Sequence, residues 1–227
     1  MRDRNYEIYK REKCKSKEKF SIVEQFAKGQ IIYRRGNSVM NVFYVKMGSV
    51  KLVNAKGGKQ YIIQHIINEG QYFGVLDLFT PSRKRRLSAY SINNNTVLEL
   101  IPLEVFEIKY KNQSEFTFEI WDSIRNLREE SEWKYKVYLS DTINERLICC
   151  LMRLARIHGE RVPSGFKFSM LTHCELGEYL GMSRQSITLV LNRLKRGNKI
   201  EYDRNTIIVK NELITEYHQE STSNLTL

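Results

Sequence analysis

Proline is scarce in this 227-residue chain, with three residues, and the four cysteines form no CxxC pair. Cys14 and Cys174 stand alone, while Cys149 and Cys150 are adjacent. That arrangement excludes a disulfide framework and a zinc or iron–sulfur ligand set, and predicts buried free thiols in a reducing compartment. No long apolar run marks a membrane span or a signal peptide. Between residues 29 and 100 His65 is the only histidine, so the His/Glu/His cluster of a catalytic metal-binding barrel is missing and no enzyme is expected. The most informative absence is local. From Gly181 to Ile200 there is no acid, yet the same stretch holds Arg184, Arg193, Lys195, Arg196 and Lys199.

That basic stretch sits inside a recognisable pattern. Leu176 and Leu180 lie four apart on one predicted helical face, Gly181 suits the left-handed residue that ends a helix, and Ser183 is an N-cap candidate. Ile187, Val190, Leu191 and Leu194 then form an apolar stripe at helical spacing. Helix, glycine turn and helix make a helix-turn-helix, whose second helix places its N-terminal residues at base edges in the major groove. Here these are Arg184, Gln185 and Ser186, all able to hydrogen-bond to bases, with Arg able to grip guanine through two bonds. Ile200–Tyr202, a turn at Asp203-Arg204-Asn205 and Thr206–Val209 read as a β-hairpin wing. The bland alternative is a helical hairpin with a solvated basic face.

The formal charge is +11 and favours an anionic partner. Bulk charge does not locate the contact surface, because residues 140–227 carry 12 Lys/Arg against 10 Asp/Glu and residues 1–139 carry 25 against 16. Residues 1–20 read as a basic, solvated lead-in whose Asp3, Glu7, Glu12 and Glu18 argue against a transit peptide. Residues 21–112 show short β-branched and aromatic runs separated by glycines, the texture of a small barrel or jelly roll. Ala55 to Lys59 is a hairpin turn candidate. Pro102 can open a short helix over Leu103–Tyr110. A longer helix is predicted over Ser114–Tyr138, within a 113–139 segment. Its Phe116, Ile120, Ile124, Leu127, Tyr135 and Tyr138 form a seam that can pack on its own barrel or pair with a copy of itself. A hinge at Ser140-Asp141 opens residues 140–213. Leu147, Cys150, Leu151 and Leu154 share one face of a helix from Thr142 to His158; Gly159–Gly165 reads as a turn and Phe166–Phe168 as a strand. Residues 214–227 read as a polar, mobile tail.

A β-rich front, a long helix and a C-terminal winged helix-turn-helix, with Leu176-Gly177 through Gly181-Met182-Ser183-Arg184, resemble the cyclic-AMP-receptor/oxygen-regulator (Crp/Fnr) superfamily of transcription regulators. The resemblance implies an α+β fold: a cyclic-nucleotide-binding-like β-roll, a dimerisation helix and a winged helix-turn-helix. It implies a homodimer on near-palindromic double-stranded DNA, with RNA polymerase as a further partner. It places Arg184 at a guanine and Thr172 at a phosphate, and it usually has a second base-contacting Arg where this chain has Leu189. Leu189 could instead touch a thymine methyl or stand away from the bases. Lys195, Arg196 and Lys199 are assigned to phosphates, Arg184 and Gln185 to base discrimination.

The superfamily's cyclic-AMP ligands are absent here. Phe73-Gly74 is followed by Val75 rather than Glu, and Ser88-Ala89 is preceded by Leu87 rather than Arg, so cyclic AMP is not expected. The N-terminal Cys cluster of the oxygen sensors is also absent. Phe73-Gly74-Val75-Leu76 is similar to the NtcA-type global nitrogen regulators of cyanobacteria and plastids. That similarity implies 2-oxoglutarate as effector, held by the turn backbone, by Arg85 or Arg86 from the next loop, and by Arg125 and Glu130 of the long helix. A dianion needs cations and free N–H groups, and a glycine turn lets backbone approach closely. Solvated surface charge is the alternative for these residues. The composition, rich in Lys, Asn, Ile and Tyr, suggests an AT-rich genome and hence a plastid stroma or a bacterial cytoplasm. Rival readings are a ligand-independent regulator whose roll only dimerises, and a sensor with a vestigial helix-turn-helix.

Overall fold

The structure, a computed structural model, describes residues 21–56, 60–139, 142–169, 171–203 and 206–223. The lead-in with Cys14, part of the 55–59 turn, the 140–141 hinge, residues 204–205 of the wing turn and residues 224–227 lie outside the described residues. The chain divides into two compact units, residues 1–51 with 66–125, and residues 52–65 with 126–227.

The first unit holds most of the β-roll, while residues 52–65 of its strands belong to the second unit. Strands β1 (Ile22–Phe26), β3 (Asn41–Met47), β6 (Tyr72–Phe73) and β8 (Thr96–Pro102) form one sheet in the order β1-β8-β3-β6. Strands β2 (Ile31–Tyr33), β4 (Ser49–Lys56), β5 (Gln60–Asn68) and β7 (Ser88–Ser91) form the other, in the order β2-β7-β4-β5. β3 and β8 pair antiparallel, with Val42 opposite Ile101 and Tyr44 opposite Glu99. Burial on β8 alternates through Thr96, Leu98 and Leu100, the period-two signature of a half-buried strand. Helix α1 (Leu103–Asn112) follows β8, then the long helix α2 (Ser114–Tyr138). Phe116 and Ile120 of α2 are buried with Val42, Tyr72, Val75, Ile101 and Phe106, and Ile124 packs against them. The first half of the expected seam therefore packs on its own roll. The large side chains that α2 leaves in solvent there are Phe118 and Trp121, off that seam.

The second unit contains the end of α2, helix α3 (Ile143–His158), helix α4 (His173–Leu180) and helix α5 (Arg184–Arg196). α3 starts at a capping box, in which Thr142 accepts from the Glu145 N–H and Glu145 answers to the Thr142 N–H. It buries Leu147, Cys150, Leu151 and Leu154, the predicted face. A four-stranded sheet in the order β11-β12-β10-β9 is built from β9 (Glu160–Val162), β10 (Gly165–Ser169), β11 (Ile200–Tyr202) and β12 (Thr206–Lys210). Three expectations change. Strand β9 occupies part of the predicted Gly159–Gly165 turn. Helix α6 (Asn211–Ser223) covers most of the predicted tail, anchored by Leu213, which is 2% exposed. Cys150 is buried as expected, but Cys174 is exposed, because its position on α4 faces away from the Leu176 and Leu180 side. Burial pushes the Cys150 thiol up to about 12, so it is an inert core thiol.

Candidate functional site

The helix-turn-helix is assembled as its residues require. α4 is capped by Thr172, which accepts from the Glu175 N–H at 3.2 Å while its own N–H donates to Glu175 Oε2 at 3.0 Å. The Thr172 hydroxyl also donates to Glu175 Oε2 at 2.8 Å. α4 ends at Gly181, with φ +66° and ψ 32° in the left-handed region. Gly177 permits the sharp return of the chain, since a Cβ there would meet Met182 O at 2.6 Å. Ser183 caps α5 by accepting from the Ser186 N–H at 3.0 Å. Ile187, Val190, Leu191 and Leu194 are all buried, so the opposite face of α5 is fixed outward.

On that outward face Ser183, Arg184, Gln185, Thr188, Leu189 and Asn192 line one concave surface. Arg184, Gln185 and Leu189 are exposed, Leu189 by 61%. Arg193, Lys195 and Arg196 are exposed near the helix end, where cations complement its dipole. Lys199 is bound to Glu216 of α6 at 2.5 Å, so reaching a phosphate requires exchange of that partner. Thr188 and Asn192, which the helix-turn-helix pattern does not single out, also line this face. Thr188 donates to Arg184 O at 2.9 Å and meets His173 Nδ1 at 2.8 Å. Burial first, and the nearby Arg184 second, lower the His173 pKa, which keeps its ring neutral at pH 7.

The expected effector residues do not behave alike. In the first unit Gly74 turns the chain at φ +79°, Phe73 stacks on Phe43 at 5.0 Å, Val75 is buried and Leu76 is exposed. Arg85 is 3% exposed. Its Nη1 donates to Gly74 O at 2.8 Å and reaches Asp77 Oδ2 at 3.5 Å, and its Nη2 donates to Asn41 O. Its guanidinium lies 4.3 Å from the Tyr33 ring centroid. Arg86 is exposed and pairs with Asp77 Oδ1 at 3.4 Å. Arg125 is exposed on α2 beside Asp122 at 3.2 Å.

Glu130 belongs to the second unit and is 6% exposed. Tyr179 of α4 donates its phenol proton to Glu130 Oε1 at 2.6 Å, and His65 Nδ1 lies 3.1 Å from Oε2. One turn along, Lys134 donates to Ile63 O at 2.5 Å and to Gln64 O at 3.2 Å, and its ammonium lies 3.7 Å from the Tyr179 ring centroid. Desolvation, partly opposed by Glu130, lowers the Lys134 pKa to about 8. Buried charges persist only when paired and hydrogen-bonded, as these are. The cluster ties residues 63–65 of β5 and α4 to the second half of α2 within one unit. Among the described residues no group of three or more His, Cys, Asp or Glu could hold a metal, and no helix is long and apolar enough to cross a membrane.

Comparison with known proteins matches this layout. Residues 23–112 match the cyclic nucleotide-binding domain family and residues 145–212 the Crp-like helix-turn-helix domain family. The chain is 26% identical over 193 residues to the global nitrogen regulator of Synechocystis sp., covering 84% of this chain and 85% of that protein. It is 24% identical over 196 residues to the cAMP-activated global transcriptional regulator CRP of Salmonella typhimurium, covering 82% and 89%. In fold it resembles FixK2 from Bradyrhizobium japonicum, with a TM-score of 0.73, 17% identity and coverage of 87% and 97%. It also resembles a CooA mutant from Carboxydothermus hydrogenoformans, with a TM-score of 0.72, 20% identity and coverage of 86% and 87%.

Proposed function

Because the chain belongs to the Crp/Fnr family of DNA-binding transcription regulators, we propose that it acts as a homodimer on a near-palindromic operator and activates nitrogen-related genes in response to 2-oxoglutarate. The observation that carries the DNA reading is the outward face of α5. Arg184 and Gln185 are exposed at the start of a helix whose opposite face is fixed by four buried apolar residues. Two such helices on a two-fold axis address half-sites about one helical turn apart. Arg184 and Gln185 discriminate bases, with Leu189 against a thymine methyl. Arg193, Lys195 and Arg196 serve phosphates, joined by Lys199 and the Thr172 hydroxyl once these exchange Glu216 and Glu175 for the backbone, and they make affinity fall with salt. RNA polymerase is the protein partner of an activator, and the plastid stroma or bacterial cytoplasm is the compartment.

For the effector, support comes from the likeness to the global nitrogen regulators and from the exposed cations Arg86 and Arg125 in the unit that holds the Phe73–Leu76 turn. Glu130 contributes by holding α4, and anion binding biases that clasp, shifting the populations of two states. Arg85 favours a second reading. Its guanidinium already occupies carbonyls, a carboxylate and an aromatic face inside the roll. A roll filled by its own arginine fits a regulator that works without a ligand. Calorimetry decides between them. Heat with 2-oxoglutarate in wild type that is lost in Arg125→Ala supports the effector; no heat in either supports the second reading.

A further inference from the structure

We propose that Asn192 is an additional base-reading residue, held in register by Tyr202 of the wing, and that it selects adenine. The inference rests on the DNA-reading role of α5 and adds a residue to it. The other polar groups on that face have partners within the protein. Ser183 and Ser186 bond to each other at 2.9 Å while Ser183 caps the helix. The Thr188 hydroxyl gives its proton to Arg184 O and takes one from His173 Nδ1. Leu189 offers only methyl groups. Arg184, Gln185 and Asn192 are left, all three exposed.

Asn192 is not a freely rotating amide. Tyr202 donates its phenol proton to Asn192 Oδ1 at 2.9 Å. The bond holds Oδ1 toward the wing and leaves Nδ2 on the side away from Tyr202. Tyr202 is itself braced: the His173 ring meets it edge-on at 5.7 Å between centroids, and the Lys195 ammonium lies 4.9 Å from its centroid and 3.4 Å from its carbonyl oxygen. One Oδ1 lone pair and both Nδ2 protons remain for a partner. Adenine presents an N7 acceptor beside an N6 amino donor in the major groove, the pair that an asparagine amide meets with two bonds. Fixing the amide beforehand removes rotamer entropy that binding would otherwise cost. Asn192 is eight residues beyond Arg184, about 12 Å along the helix axis, so its base pair is several steps from the guanine of Arg184.

The test is selection from a random duplex pool. Binding is then measured to the selected site with each of the four base pairs at each half-site position, for wild type, Asn192→Ala and Tyr202→Phe. Wild type should favour adenine at one position by roughly ten- to a hundredfold. Asn192→Ala should flatten that position alone and leave the guanine preference intact. Tyr202→Phe should keep the adenine preference but shrink it several-fold at that position only, which a general loss of wing packing would not do. A uniform loss across all sequences in Asn192→Ala would identify a phosphate contact and overturn the assignment, as would an unchanged profile. A wild type that selects no site would remove the DNA-reading role of α5 together with this one. A wild type that selects a site indifferent to Asn192→Ala removes this assignment alone.

Discussion

Tyr179→Phe is the sharpest probe of the buried clasp. The substitution deletes one hydroxyl and keeps the ring, which stacks on Trp133 at 6.0 Å and faces the Lys134 ammonium. What is lost is a 2.6 Å bond to Glu130, between groups 2% and 6% exposed. Burial and the adjacent Glu130 hold the Tyr179 pKa well above its usual value, so the phenol keeps its proton and stays a donor at neutral pH. A hydrogen bond to a charged group contributes about 1.5–3 kcal/mol, and removing the donor leaves a buried carboxylate oxygen short of a partner. A cost near 2 kcal/mol corresponds to roughly thirtyfold in an opening equilibrium. Amide hydrogen exchange in α4, His173–Leu180, should therefore speed up about thirtyfold. Tyr138→Phe is the control. It removes only a 3.2 Å bond to the Tyr179 carbonyl from a partly exposed phenol, and should change the same amides by only about fivefold. If Tyr179→Phe exchanges no faster than Tyr138→Phe, Glu130 does not hold α4 and the clasp is only a packing neighbour.

Gly177→Ala should cost about 1–3 kcal/mol of unfolding free energy and much of the DNA affinity, because its Cβ would push on the Met182 carbonyl inside the turn. Gly181→Ala, strained by φ +66° but 3.6 Å from its nearest neighbour, should cost about 1–2 kcal/mol; thermal unfolding of both variants checks the order. Lys134 gives a pH signature. Its folded pKa is lowered to about 8 by burial, below the unfolded value of about 10.4, so the unfolded chain binds more protons in between. The penalty is full below pH 8 and is relieved as pH rises toward 10, so urea unfolding should show wild type gaining stability relative to Lys134→Met across that window. An equal slope for both would show that the lysine is not desolvated.

The parts of the fold with a local signature were legible in the sequence. The long helix has the bounds its apolar spacing indicates, Ser114–Tyr138, and α5 begins where Ser183 can cap it. Gly181 takes the left-handed conformation that made it a helix stop. Pairings between distant residues were not legible. Nothing in Arg83-Lys84-Arg85-Arg86 distinguishes the arginine that is buried on Asp77 and Tyr33 from the neighbour left in solvent, because the choice depends on carbonyls 11 and 44 residues away. Glu130 carried the spacing of an effector ligand, yet its partners His65 and Tyr179 lie 65 and 49 positions distant. Asn192 looked like one more polar residue on a helix until the wing brought Tyr202 to it. Polar composition after Leu213 suggested a tail, whereas Leu213 itself packs into the second unit and α6 continues from Asn211.

Whether the outward face of α5 reads base pairs is decided by fluorescence anisotropy at about 150 mM salt. The selected duplex is compared with a scrambled one, for wild type and Arg184→Ala. Wild type should prefer the selected duplex by about a thousandfold or more, and Arg184→Ala should lose roughly ten- to a hundredfold of that preference at the guanine position. Equal affinity of wild type for the two duplexes, or a preference that Arg184→Ala leaves intact, would show that α5 does not read bases.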